Sequence, residues 1–347
     1  MAELLVTGGA GFIGANFVRH WAGTHPGEGI VVLDALTYAG NRANLAGIEG
    51  VRLVEGDIRN TRLVVDLLES GIDTVVHFAA ETHVDRSIRA PGAFVETNVM
   101  GTHSLLEAAR EAWLDRGSGR PHRFHHVSTD EVYGSLAPAD PAFHESTAYA
   151  PNSPYSASKA ASDHLVRAWR QTYGLETTVT HCSNNYGPYQ APEKLIPLFL
   201  IGCLTGRPLP IYGDGMNMRD WLHVEDHVRA VALVLEQGRT GETYNIGGGV
   251  ELANRDVAAL ICRGMDEAFA SDPALALRFP HAPAAHGTPS ATLTSYVADR
   301  PGHDRRYAID DAKIRAELGY LPERRFEEGL AATIRWYIDH EGWWRGF

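Results

Sequence analysis

Gly8, Gly11 and Gly14, in G-x-x-G-x-x-G spacing, stand between an apolar run, Glu3–Thr7, and a helical pattern carried by Asn16, Phe17, Val18 and Trp21. A second apolar run, Ile30–Leu33, ends on Asp34. The order strand, glycine turn, helix, strand leaves few folds open. Small residues let the backbone turn tightly and approach a diphosphate, whose charge then rests on the helix N-terminus. Asp34 lies 20 residues beyond Gly14. A carboxylate at that strand end accepts hydrogen bonds from adenosine ribose hydroxyls and repels a 2′-phosphate. The unit predicts a βαβ site for NAD rather than NADP.

The alternation continues. Val51–Asp57, Thr74–Ala80, Phe124–Ser128 and Thr177–Cys182 read as strands, and Thr97–Trp113 and Ser156–Tyr173 as helices. This rhythm predicts an α/β fold with a doubly wound parallel sheet. Ligands then bind at the carboxyl ends of the strands, an edge that carries Asp57, Ala79, Ala80, Thr82 and Thr129. Beyond Cys182 the chain becomes loop-rich, with Pro188, Pro192, Pro197, Pro208 and Pro210. Val224–Gln237 reads as a helix returning to the sheet and Tyr244–Ile246 as a further strand. The expected organisation is a NAD-binding domain at 1–181 plus about 223–247. A smaller, interleaved C-terminal substrate domain at 182–222 and 248–347 would close a cleft over the cofactor. Phe269–Ser295, rich in Ala, Pro and His, lacks periodicity. It reads as a mobile loop or an extra contact with substrate or a neighbouring subunit.

A length of 347 residues accommodates two packed units. A net charge of −12 argues against a nucleic-acid partner, which needs a basic footprint. It leaves room for a small anion held by local cations or helix ends. Cys182, Cys203 and Cys262 form no C-x-x-C pair and suggest buried thiols in a reducing cytoplasm. No window reaches the ~18 apolar residues of a membrane span, and no signal peptide is read. Among the 17 histidines, His125 and His126 are sequential on an expected strand, so their side chains diverge; no metal site is expected.

Tyr155 and Lys159 are the second strong signal. On a helix, i and i+4 share a face, so both can point at one ligand. A free tyrosine has a pKa of about 10 and needs help to act as a base at neutral pH. An ammonium at ~4 Å can supply that help, the pyridinium charge of NAD⁺ adds to it, and lysine can also reach a ribose hydroxyl. Only Lys159, Lys194 and Lys313 are lysines among 31 basic residues, so each merits attention.

At this point the chain resembles the extended short-chain dehydrogenase/reductase family over nearly its whole length. Within it, Ser128-Thr129-Asp130-Glu131-Val132-Tyr133-Gly134 looks like the segment of the nucleotide-sugar 4,6-dehydratases. Phe78–Ser87, Cys182–Gln190, Pro192–Pro197, Leu209–Gly213, Arg219–Leu222 and Asp299–Tyr307 also match. The resemblance implies a Rossmann-like sheet, tightly bound NAD regenerated in each turnover, and dTDP-glucose as substrate. The choice of thymidine over uridine rests on resemblance alone. Tyr155 would take the 4-hydroxyl proton while hydride leaves C4. Glu131 would remove the C5 proton and Asp130 would protonate the departing 6-hydroxyl, before hydride returns to C6. Thr129 would bond the 4-oxygen, helped by Thr82, where the family more often has serine.

Cofactor contacts are implied at Gly8, Gly11, Phe12, Ile13, Gly14, Asp34, Leu36, Thr37, Asp57, Ile58, Ala79, Ala80, Thr97, Tyr155, Lys159 and Asn185. Substrate contacts are implied at Thr82, Thr129, Asn184, Lys194, Leu195, Pro210, Tyr212, Arg219, Asn254, Arg300 and His303. Relatives dimerise by packing helices such as Thr97–Trp113 and Ser156–Tyr173, which implies a homodimer.

The acid pair poses a geometric problem. Neighbours on an extended strand point to opposite faces, so both acids meet one sugar only if the strand ends and the backbone turns there; Gly134 suits that. Opposite roles also require separated pKa values, with Asp130 protonated through burial or the Glu131 charge. A 4-epimerase or decarboxylase on a related sugar nucleotide would use Tyr155 and Lys159 but has no use for the acid pair. A non-catalytic NAD sensor would need neither.

Overall fold

The computed structural model describes residues 3–347; residues 1 and 2 of the expected first domain lie outside the described residues. In chain order the first half gives β1 (Glu3–Thr7), α1 (Phe12–Thr24), β2 (Gly29–Asp34), β3 (Val51–Glu55), α2 (Thr61–Glu69) and β4 (Ile72–His77). Then come α3 (Gly101–Ala109), β5 (Arg123–Thr129), α4 (Pro154–Tyr173) and β6 (Thr177–Cys182). The second half adds β7 (Asn184–Tyr186), α5 (Leu195–Thr205), β8 (Leu209–Tyr212), β9 (Met218–His223), α6 (Val224–Gln237) and β10 (Thr243–Ile246). It ends with β11 (Glu251–Ala253), α7 (Asn254–Ser271), β12 (Thr294–Val297) and α8 (Phe326–Asp339), among shorter turns.

Seven strands form one sheet in the order β10-β6-β5-β4-β1-β2-β3, every neighbouring pair parallel. Helices cover both faces. One apolar layer joins α1 and α6 to the sheet through Phe17, Val18, Val228 and Val231. The other joins α2, α3 and α4 through Val64, Leu68, Leu105 and Val166. Strands covered on both sides are buried without alternation, which is why β2 reads as an apolar run and β6, although rich in threonine, is buried at every position. After β3 the chain crosses back to pair β4 with β1. Strand order reverses there, and the loops that part at this switch point open a crevice.

The helix expected at Thr97–Trp113 is broken in type. π-helical turns at Val95–Met100 and Arg110–Asp115 flank α3. The first holds Asn98, whose amide donates to Glu81 O (3.0 Å) and Ser158 Oγ (2.8 Å) and whose oxygen accepts from Glu81 N (2.8 Å). That side chain pins the loop after β4 to α4.

A three-stranded sheet (β11-β9-β7) and a parallel pair (β12-β8) lie beyond the main sheet. They pack with α5, α7 and α8 around Phe199, Leu200, Ile261 and Tyr337. Phe269–Ser295 is part of this body rather than a mobile loop. Short helical turns at Ala274–Arg278, Pro283–His286 and Ser290–Leu293 insert Leu275, Phe279 and Ala282 into the core. Ser290 donates to Asp266 from both Oγ (2.6 Å) and its backbone N (3.0 Å). Leu275 lies within the first turn, Phe279 closes it and Ala282 precedes the second, so no run is long enough for a period to show. Among the described residues no helix is long and apolar enough to cross a membrane. Phe279 is 2% exposed. Phe279→Ala should therefore cost about 3–5 kcal/mol in urea unfolding, whereas a mobile flap would show no change.

Candidate active site

A cavity of about 500 Å³ opens over the carboxyl ends of β1, β4, β5 and β6. One end is the glycine turn; the other is the acid pair.

At the glycine end, a Cβ on Gly8 would lie 2.6 Å from Ala79 N, and one on Gly14 would lie 2.3 Å from Gly8 O. Backbone passes too closely there for any side chain. Gly11 caps α1 without a side-chain hydrogen bond, so the first N–H groups of this 13-residue helix face the cavity edge unclaimed by side chains. The cradle fits a dinucleotide diphosphate. Asp34 is buried beside it, accepting from Ala10 N (2.9 Å) and Leu36 N (2.8 Å). Burial raises its carboxyl above the usual range and those two N–H groups oppose the rise. Each oxygen keeps a further lone pair for a ribose hydroxyl. Phe12, Ile13, Thr37, Asp57, Ile58, Ala79, Ala80, Thr97 and Asn185 line the same cavity. Leu36 does not; its N–H is spent on Asp34, and its φ is +49°.

The acid pair stands where β5 stops. Thr129 is its last residue, and a 3₁₀ turn follows over Asp130–Tyr133, with Thr129 Oγ1 accepting from Glu131 N (3.3 Å). Gly134 ends the turn at φ +95°. The change from strand to turn brings Thr129, Asp130 and Glu131 to one cavity. Asp130 is 1% exposed, and its Oδ2 has no hydrogen-bond partner among the described residues. Burial first, then the charges of Glu131 and Asp220, push its carboxyl well above the usual range. Burial raises Glu131 too, but Arg300, Arg219 and Lys194 pull it back. The two carboxyls therefore differ: Asp130 is held toward the acid form, while Glu131 has cations to favour its charge.

Tyr155 and Lys159 line the cavity from the first turns of α4. Ser153 starts this helix with a reciprocal capping box to Ser156, which fixes where the tyrosine emerges. The expectation that Lys159 lowers the tyrosine's pKa is not met by the side chains of the protein. Burial and the Glu131 charge push Tyr155 well above its ordinary value, with the Thr129 hydroxyl opposing. Lys159 Nζ instead donates to Val127 O (2.9 Å) and lies 3.5 Å from His126 Nε2. Burial lowers its ammonium to about 8, against the charge of Asp163.

Asp163 is itself buried. Its Oδ2 accepts from Ser128 Oγ (3.0 Å), Tyr149 OH (3.1 Å) and His181 Nε2 (3.0 Å), and its Oδ1 lies 3.2 Å from His126 Nε2. Burial favours the acid form, but His126 and His181 outweigh it and hold the carboxyl well below its usual range. This anion behind Lys159 was missed from the sequence, although Tyr155, Lys159 and Asp163 share i, i+4, i+8 spacing. His125 turns away to Thr178 and Thr180, so the two sequential histidines do diverge.

Thr82, Asn184 and Lys194 also line the cavity, with Lys194 Nζ donating to Thr82 O (2.9 Å). Leu195, Pro210, Tyr212, Arg219, Asn254, Arg300 and His303 do not form its wall. Tyr212 OH (3.3 Å) and Arg300 Nη1 (3.5 Å) meet Asp85, and His303 meets Asp299 (2.6 Å). Arg219 is buried over the Tyr307 ring, 4.2 Å from its centroid, and donates to Asp304 O. Asn254 opens α7, its N–H donating to Asn217 O (3.0 Å). Wall residues that sequence reasoning passed over include Tyr38, Glu81, Cys182, Gln190 and Glu193. Cys182 was read only as a buried thiol; Glu81 and Glu193 neighbour residues already singled out. Asp130 Oδ2, Ser183 Oγ, Asn184 Oδ1, Gln190 Oε1 and Glu193 Oε1 are all buried wall atoms without partners among the described residues. Such a concentration suits a ligand rich in hydroxyl groups.

The family described as GDP-mannose 4,6 dehydratase matches residues 5–333. A dTDP-glucose 4,6-dehydratase of Xanthomonas campestris pv. campestris is 53% identical, over 100% of this chain and 96% of that protein. The solved dTDP-glucose 4,6-dehydratase DesIV of Streptomyces venezuelae, crystallised with NAD, is 49% identical with a TM-score of 0.88 over 99% of each chain. A UDP-glucose 4-epimerase of Thermotoga maritima shares the fold at 27% identity, TM-score 0.83, over 97% of this chain and 99% of that one. With the glycine cradle, the Tyr155–Lys159 pair and the acid pair in one cavity, the chain belongs to the dTDP-glucose 4,6-dehydratase family of extended short-chain dehydrogenases/reductases.

Proposed function

We propose that the chain converts dTDP-glucose to dTDP-4-keto-6-deoxyglucose by NAD-dependent internal redox dehydration. The observation that carries this reading is the pairing of Asp130 and Glu131 on the turn after β5, in the same cavity as Tyr155 and Lys159. Bound NAD supplies a reversible hydride acceptor, filled from C4 and emptied to C6, so it ends each turnover unchanged. Tyr155, whose phenol the positive charge of bound NAD⁺ would lower against that burial, takes the proton of the 4-hydroxyl, and Thr129 holds the 4-oxygen. The 4-ketone acidifies C5–H, and Glu131 removes that proton as general base. Asp130, kept protonated by burial and by its charged neighbour, gives its proton to the 6-oxygen, which leaves as water. C5 is finally reprotonated. Lys194, Asn184 and Thr82 hold the sugar or diphosphate; Arg219 and Arg300 add positive charge beside Glu131. Leu195, Pro210, Tyr212, Asn254 and His303 complete the nucleotide end.

The three free, buried cysteines support a reducing cytoplasm as the compartment. A homodimer is proposed through the helical segments that include α3 and α4. Val95, Met100 and Tyr173, at 51%, 51% and 43% exposure, leave apolar surface there. Sedimentation should give twice the chain mass, and a monomer would remove the dimer.

Incubation with dTDP-glucose should yield a 4-keto sugar, detected by its absorbance in alkali. An epimer, or no product, would overturn the assignment. Glu131→Gln should lose about 10²–10⁴-fold in kcat and block exchange of C5–H with deuterated water while oxidation at C4 proceeds. Asp130→Asn should keep that exchange and lose the elimination.

The Lys159 ammonium, lowered to about 8, is fully charged below that pH. Activity that needs it falls as pH rises through about 8. Asp163→Asn removes the anion that favours the charged form, so this basic limb should move to lower pH by roughly one unit. An unmoved limb would detach Asp163 from Lys159.

A further inference from the structure

The C-terminal turn Glu341–Trp344 lies far in sequence from the glycine cradle, yet hydrogen bonds join them. Trp343 Nε1 donates to Asn44 Oδ1 at 2.7 Å. Asn44 is fully buried, and its Nδ2 donates to Ala10 O at 2.8 Å. Ala10 lies within the glycine turn, between Gly9 and Gly11. Its own N–H donates to Asp34 Oδ2 at 2.9 Å. One amide side chain thus bonds the C-terminal indole through its oxygen and the cofactor cradle through its nitrogen. The cradle in turn bonds the carboxylate positioned for the adenosine ribose.

Other contacts hold the same corner. Asn41 N donates to Ala10 O (3.0 Å), and Arg19 from α1 donates to Asn44 O (2.7 Å) and Ala46 O (3.1 Å). Arg19 also lies over the Tyr189 ring, 5.0 Å from its centroid. Tyr189, at φ +68°, meets Trp336 (4.8 Å between centroids) and Trp343 (5.9 Å). The next residue, Gln190, lines the cavity and gives its backbone carbonyl to Tyr337 OH. An aromatic group from the C-terminus therefore fixes two separate stretches of cavity wall.

We infer that Trp343, acting through Asn44, is a positioning residue that clasps the cofactor cradle and slows NAD release. The inference rests on the reading that the cradle holds NAD. A clasp has a purpose in this chemistry: the hydride taken from the sugar must return to the same sugar, so release in mid-cycle would strand the intermediate. Removing the indole N–H leaves Asn44 Oδ1 buried without its donor, and the Ala10 carbonyl loses a rigidly held partner.

The test uses holoenzyme loaded with radiolabelled NAD and chased with excess unlabelled NAD. Trp343→Phe keeps an aromatic ring and removes the N–H. It should release label roughly tenfold faster, the scale of one hydrogen bond to a buried group. The melting temperature of the cofactor-free protein should fall by only about a few degrees, as one buried acceptor left without its donor implies. In an Asn44→Ala background, which already releases faster, Trp343→Phe should add little, because the two act through one contact. Parental release from Trp343→Phe, or an undiminished effect in the Asn44→Ala background, would overturn the clasp. So would a lowered melting temperature with unchanged release. A parent protein that retains no label at all would remove the cofactor reading and the clasp with it.

Discussion

A carboxyl group stays protonated at neutral pH only where its anion is costly, and the site depends on one such place. Asp130 is buried where β5 gives way to a turn, with one oxygen unpartnered among the described residues and a second carboxyl beside it. Were β5 to run one residue further, Glu131 and Asp130 would face opposite sides of the sheet. The Thr129 hydroxyl, accepting from Glu131 N, fixes the change from strand to turn. Cations then separate the pair: Arg219, Arg300 and Lys194 act on Glu131, while Asp220 adds negative charge near Asp130. In the proposed mechanism acid and base come from adjacent residues because their surroundings differ, not their chemistry.

Behind the wall, a second arrangement controls charge. Lys159 has lost its water and pairs with a carbonyl. A buried ammonium in that position drifts toward neutrality. Asp163 resists the drift, and it remains an anion because His126 and His181 favour its charged form. The remaining lysine, Lys313, lies away from the cavity, bound to Glu242 and Thr243 at the sheet edge. In an arginine-rich chain, the two lysines in the cavity wall are those whose ammonium is buried and lowered.

What the sequence disclosed follows the range over which its signals act. The βαβ opening and the parallel sheet were legible because glycine spacing and apolar runs are local. The α/β, doubly wound architecture is the one found. The turn at Asp130 could be argued from the chemistry its side chains must perform. Asp163 was within reach, since it continues the helical face of Tyr155 and Lys159. The fold of Phe269–Ser295 was hidden, because its buried residues are divided among turns of four or five residues and the bends between them, too short for a period to show. The raised Tyr155 was hidden as well: adjacency to Lys159 suggested a lowered phenol, but burial and Glu131 act more strongly. Asn44 and Trp343 stand 299 residues apart, and no local pattern joins them.

The likeness to a UDP-glucose 4-epimerase at a TM-score of 0.83 bears on what sets the reaction. A parallel sheet with a glycine cradle and a tyrosine–lysine helix offers oxidation of a sugar hydroxyl, and several outcomes can follow from the resulting ketone. Fold likeness cannot choose among them. The choice falls to groups able to act at C5 and C6. In the proposed mechanism those are two carboxyls on a four-residue turn, Asp130–Tyr133. An epimerase needs the ketone to be re-reduced from its other face and gains nothing from a protonated acid in the wall. Keeping Asp130 buried with one oxygen unpartnered among the described residues costs stability, and a site without elimination to perform has no reason to bear that cost.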